Sequence, residues 1–284
     1  MCRAVFFCLV TIFLTQAWVG SSAIAQAPLN PIRENKVTNM PDATYAFVIH
    51  AQPRYQSSES IIGGAEALLT CARRHQIRSL AVVNSVMERN YVFALNGTRL
   101  DPRFSWLDNV DRYVESWGGQ HRLNFPNARN FILGGGMLSW CFCEFLRDTI
   151  RGVPQTPNRP LRLILVTDAI YDPYEFGAEN MQQFIERNGN AAINKVLLDK
   201  VLGQGAQEMC FRQNMYAFPN LYSRDFSFRF FRGSEQIGGN EQRPGPRSAI
   251  DIVMVPSSEL ASLFPYSPAL SPGEAEGPRV APAR

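Results

Sequence analysis

The sequence predicts an α/β domain: a mostly parallel sheet, helices on both of its faces, and extra strands near the C-terminus. Three observations carry that expectation. Short β-prone apolar runs alternate with segments of helical periodicity. The first strand, helix and second strand fit within about 40 residues, which makes a βαβ unit with parallel strands. Beyond about residue 210 the chain changes to strand patterns without comparable helices between them.

The elements follow in order. Residues 26–43 are polar and Pro-rich and read as a leader. Tyr45-Ala46-Phe47-Val48-Ile49 is the first strand, ending at His50-Ala51-Gln52. Ile61, Ala65, Leu68, Leu69 and Ala72 then fall on one helical face, and Arg73-Arg74-His75 suit the negative end of that helix. Ser79 to Val83 is the second strand. Tyr91 to Leu95 reads as a short strand before an Asn96-Gly97 turn. Trp106, Leu107, Val110, Tyr113, Val114 and Trp117 form a helical stripe, with Ser105 as cap and Gly118-Gly119 as stop. Asn130 to Leu133 is a strand running into Gly134-Gly135-Gly136. The next helix is capped by Ser139, and its core face is Leu138, Phe142, Phe145, Leu146 and Thr149. Leu161 to Val166 is a strand ending at Thr167-Asp168-Ala169. Helical segments fill roughly 177–203, broken near Asn188-Gly189-Asn190. Phe226, Phe228 and Phe230 alternate as in a half-buried strand, and Ala249 to Val255 is another strand. From about residue 263 the chain is rich in Pro, Gly and charge and reads as a disordered tail. The domain is thus expected over residues 44–262.

The N-terminus speaks to compartment. Arg3 precedes an uncharged, mostly apolar run from Ala4 to Val19, and Ala23-Ile24-Ala25 forms an A-x-A cleavage pattern. That is a secretory signal over residues 1–25, with Gln26 as the first mature residue and a periplasmic or secreted product. No second apolar stretch is long enough to span a bilayer, so no membrane span is expected after cleavage. Net charge is +3, and about +2 without Arg3. That is too small and too scattered to indicate nucleic acid. Four cysteines follow the signal, Cys71, Cys141, Cys143 and Cys210, and three full pairings are open to them.

In an open parallel sheet, ligands sit at the carboxyl ends of the strands. Cys141 follows the glycine-rich strand end and falls in the first turn of a helix. Unpaired N–H groups and the helix dipole favour a thiolate there. Gly135 and Gly136 allow a substrate close to the backbone, and amides near Trp140 and Cys141 could hold an oxyanion. His50, at the end of the first strand, is the candidate base for Cys141. Asp168 either orients a base, binds a polar substrate group or caps the next turn through its side chain. Gln52 and Trp140 are candidate substrate contacts. His50, His75 and His121 are dispersed and make no metal site. The glycine run lacks the rest of a phosphate loop, so no metal or cofactor is expected.

The succession Ala46-Phe47-Val48-Ile49-His50-Ala51-Gln52, then Val82-Val83-Asn84-Ser85, then Phe131 through Gly136 to Cys141, then Val166-Thr167-Asp168-Ala169 resembles the isochorismatase-like cysteine hydrolases. The resemblance covers roughly residues 44–200 and implies a Rossmann-like fold. It also implies a nucleophile at Cys141, six residues after Gly135, with Gln52 and Asp168-Ala169 in matching places. The chain departs from the family where it matters for catalysis. His50 stands where the family has its Asp, no Lys occupies 86–104, and Phe145 replaces the usual Thr.

Two functional readings follow. In one, Cys141 attacks a small amide or related carbonyl compound and His50 takes its proton. In the other, the fold has lost its acid/base set and binds a small-molecule ligand or a protein partner.

Overall fold

The computed structural model describes residues 32–33, 37–51, 60–83, 110–116, 118–119, 121–154, 160–202, 226–239 and 248–264. The signal segment, Gln52, the 91–95 run, Cys210 and residues 265–284 lie outside them. Strands are β1 (Ile32–Arg33), β2 (Thr38–Asn39), β3 (Thr44–Ile49), β4 (Arg78–Val83), β5 (Arg112–Glu115), β6 (Leu123–Asn124), β7 (Asn130–Gly135), β8 (Leu161–Ile170), β9 (Phe226–Arg232), β10 (Glu235–Gly239) and β11 (Ser248–Val255). Helices are α1 (Ile62–Arg74), α2 (Cys143–Gly152), α3 (Met181–Val196) and α4 (Ser257–Leu260). A π-helical turn, Leu138–Phe142, leads into α2.

Among the described residues one nine-stranded sheet runs in the order β1-β5-β4-β3-β7-β8-β11-β9-β10. Every pairing in it is parallel except β9 with β10. The expected α/β class, mostly parallel with extra C-terminal strands, is what the chain forms. The strands read as continuous apolar runs because both faces are covered. Tyr45, Phe47 and Ile49 join a core with α2 and α3 on one face, while Ala46 and Val48 join a core with α1 and α4 on the other. Alternation along β3 thus feeds two layers.

Local chemistry sets the helix ends. Asn180 caps α3 by accepting from the Gln183 amide, and the Gln183 side chain answers by accepting from the Asn180 amide. The expected break near Asn188-Gly189-Asn190 falls at Gly189, whose φ of 81° interrupts the helix. Close packing explains Gly64 on α1, where a Cβ would overlap the Asp168 carbonyl on β8.

Two expectations are corrected. The 106–117 stripe was expected to be a helix, but Arg112–Glu115 is strand β5, paired with β4 and with β1. Tyr113 and Val114 are both buried, in opposite layers, as neighbours on a two-sided strand must be. A short apolar cluster fits either period, and the unpaired edge of β4 decided the matter. Part of the 26–43 stretch also belongs to the folded body. Ile32 and Met40 are buried, β1 borders the large sheet, and β2 pairs with β6. No helix among the described residues is long and apolar enough to cross a membrane.

Candidate functional site

The strands carrying the candidate residues are neighbours. β3, which ends at Ile49, lies beside β7, with Ile49 opposite Gly135, and β7 lies beside β8. The glycines make this closeness possible. Gly135 has a φ of 101°, and a Cβ on it would overlap the Ile49 carbonyl. Gly136 donates to the Ile49 carbonyl at 2.9 Å, and a Cβ there would run into Tyr171. The peptide between Gly136 and Met137 is cis. Gly135 and Gly136 therefore seat β7 between its neighbours.

His50 leaves β3 with a φ of 44° and is wholly buried. Its Nε2 lies 3.0 Å from the Ser116 carbonyl at the end of β5. A carbonyl only accepts, so Nε2 carries the proton and donates, and Nδ1 is the nitrogen left to take one. Burial pulls the ring down to about 4, with the Ser116 hydrogen bond opposing the shift. The ring is neutral at pH 7 and weakly basic. Its backbone is held from two directions. The amide donates to Val82 at 2.9 Å, and the Tyr171 hydroxyl donates to its carbonyl at 2.9 Å.

Cys141 sits in the π-helical turn before α2, 9% exposed, and packs in the core shared with α2 and α3. Cys71, Cys141 and Cys143 are not bridged to one another. The expected free amides in this turn are largely used. Leu138 N–H donates to the Tyr171 carbonyl at 3.1 Å, Ser139 N–H to Asp172 Oδ2 at 2.6 Å, and Trp140 N–H to the Met137 carbonyl at 3.0 Å. Met137, not Ser139, stands at the cap position. The capping carboxylate comes from the turn after the neighbouring strand β8, 33 residues further on, which local sequence could not show.

Asp172 is the site residue that sequence reasoning missed. It is fully buried, and its Oδ1 also accepts from the Tyr174 and Glu175 amides at 3.0 and 3.3 Å. It closes the turn after β8 and pins that turn to the Cys141 helix. The available signal was Asp172-Pro173, a turn-starting pair. Gly119 was missed too. It has a φ of 87°, and a Cβ there would overlap the Cys141 carbonyl, so the segment after β5 lies against the helix start.

Asp168 is not at the site. It lies two residues before the end of β8, and its side chain accepts from the Ser257 amide at 2.7 Å and hydroxyl at 2.5 Å. It caps α4. Its strand neighbour Thr167 donates to Gln182 on α3. Alternation therefore sends Asp168 to the α1–α4 face, away from the layer holding Cys141. The expectation that it orients a base is corrected, and so is the expected cap of the next turn: the carboxylate caps a helix 89 residues further on. Trp140 is partly buried, with its ring 6.5 Å from that of Tyr174, which is 65% exposed. Gln52 lies outside the described residues.

Fold and site together define an α/β protein with a buried cysteine and a buried neutral histidine at the carboxyl ends of adjoining parallel strands. No protein-family model matches the chain, and no curated protein matches it. Among solved structures it is similar to the MAR1 ribonuclease of Caenorhabditis elegans, at 15% identity over 66% of this chain and 96% of that one, with a TM-score of 0.36. It is also similar to a cysteine hydrolase of Pseudomonas syringae pv. phaseolicola, at 14% identity over 54% and 84%, with a TM-score of 0.31. A third is the YcaC gene product of Escherichia coli, an octameric hydrolase of unknown specificity, at 12% identity over 61% and 83%, with a TM-score of 0.33. The fold class rests on the sheet order and register, not on these likenesses.

Proposed function

We propose that this is an exported protein on a degenerate isochorismatase-like architecture, which binds a small molecule or a protein partner without turning over a substrate. The observation that carries this reading is the start of the Cys141 helix. The amides of Leu138, Ser139 and Trp140 already have acceptors, and one of those acceptors is a carboxylate. A cysteine hydrolase needs spare donors there for the oxyanion and a positive environment for the thiolate. Asp172 offsets the dipole that would supply the latter.

A second reading, hydrolysis of a small amide or related compound, draws support from the Ile49–Gly135 pairing, which brings the chain of His50 next to the chain leading to Cys141. In that case Cys141 would be the nucleophile and His50 Nδ1 the base.

Alkylation by iodoacetamide across pH separates the two. The binding reading expects Cys141 to titrate at or above the ordinary thiol value of about 8.5. It also expects Asp172→Asn to speed alkylation several-fold at pH 7, at a stability cost of about 1 kcal/mol for the weakened cap. A thiolate already formed near pH 6, together with amide hydrolysis abolished by Cys141→Ser, would replace it with the hydrolase reading. Export is tested apart from this by N-terminal mass analysis. Gln26 is the expected first residue, and an intact Met1 chain held in membrane would overturn it.

A further inference from the structure

We infer that the opposite, amino end of the sheet binds a small organic acid through its carboxylate, with Arg73 and Arg112 as the groups that hold it. A groove of about 950 Å³ lies there, between the α1–β4 turn and the first residues of β3, β4 and β5. That volume suits a small ligand. Its charged lining is Arg73, Arg78, Arg112, Asp42 and Asp111. Among the described lining residues, and leaving His75 aside, three guanidinium groups stand against two carboxylates.

The engagements within the groove are uneven. Asp42 lies 2.9 Å from Arg78 Nε. Asp111 Oδ2 accepts from the Ser79 amide and hydroxyl at 2.6 and 3.1 Å. The side chains of Arg73 and Arg112 make no hydrogen bond or ion pair among the described residues. The two uncommitted side chains thus come from adjoining elements, the last turn of α1 and the first residue of β5. A planar guanidinium presents paired donors that match a carboxylate. The surroundings set the charge of the ligand. Two aspartates and the carbonyl end of α1 oppose a multiply charged anion, so a monocarboxylate is favoured over a phosphate.

Thermal midpoints of the full chain test this, with sodium benzoate at about 20 mM against sodium chloride of equal ionic strength. The expected result is a rise of about 2 °C over chloride. Cys141→Ser should keep that rise and the Arg73→Ala/Arg112→Ala pair should lose it. Should the double variant not fold, Arg112→Gln alone should at least halve the response. Arg73→Lys/Arg112→Lys, which keeps the charge without the fork, should weaken benzoate binding about threefold or more. No rise over chloride, an undiminished rise in the alanine pair, or a larger response to inorganic phosphate than to benzoate would each overturn the proposal.

Discussion

His50 and His121 are both held neutral by burial, and for His121 the hydrogen bonds say so independently. Its Nδ1 accepts from the Leu123 amide at 3.1 Å, so its Nε2–H donates to Thr149 Oγ1 at 3.0 Å. A proton on Nδ1 would face another N–H. Burial pulls His121 down to about 3 and His50 to about 4, against the ordinary 6.5. The unfolded chain takes up these protons as pH falls through 6.5, while the folded chain resists until about 4 and about 3. Each histidine therefore contributes stability that is complete above 6.5 and declines below it, by about 1.4 kcal/mol per pH unit. Urea midpoints should fall steadily from pH 7 to pH 4.5. His121→Gln, less stable at pH 7, should show a shallower fall. An unchanged slope in that variant would remove His121 from the account.

At the scale of elements, Asp168 and Ser257 join β8 to α4. Both Ser257 bonds to this carboxylate cap a helix of four residues, too short to persist without tertiary contacts. A double-mutant cycle with Asp168→Asn and Ser257→Ala should return a coupling of about 1 kcal/mol or more. Neither change should alter the alkylation rate of Cys141, because the sheet lies between them. A changed rate would put Asp168 back at the site. Strand β5 teaches a related lesson. Its Tyr113 and Val114 are adjacent and both buried, which a helical stripe also produces over so short a span. The choice was made by hydrogen-bond donors and acceptors on the edge of β4, third in the sheet order and invisible to a local window.

At the scale of the whole molecule, β11 lies between β8 and β9 and is parallel to both. Ile250, Ile252 and Met254 enter one core, and Val253 and Val255 the other, all buried. At about 2 kcal/mol each, their burial is on the order of 10 kcal/mol, comparable with the net stability of a domain. A chain ending at residue 247 should therefore fail to fold cooperatively. One ending at residue 264 keeps every described element and should hold its thermal midpoint. Circular dichroism melts of the two chains make the check. A cooperative melt of the shorter chain would show that the extra strands are an addendum to the domain.

The sequence by itself determined the α/β class, because apolar runs of strand length and stripes of helical period are written locally and follow from backbone geometry alone. The break at Gly189, the strand after the Pro-rich loop and the two C-terminal strands were legible for the same reason. It also placed Cys141 just past a glycine-rich strand end, and His50 at the end of a strand that proves to be the neighbour. Tertiary structure decided what those residues touch. Whether a helix N-terminus is a free anion site depends on which acceptor reaches it, and Asp172 arrives from 33 residues away. Whether Asp168 faces Cys141 depends on the parity of its position along β8, which is set by register. Contacts of that range depend on the assembled sheet, and no local pattern encodes them.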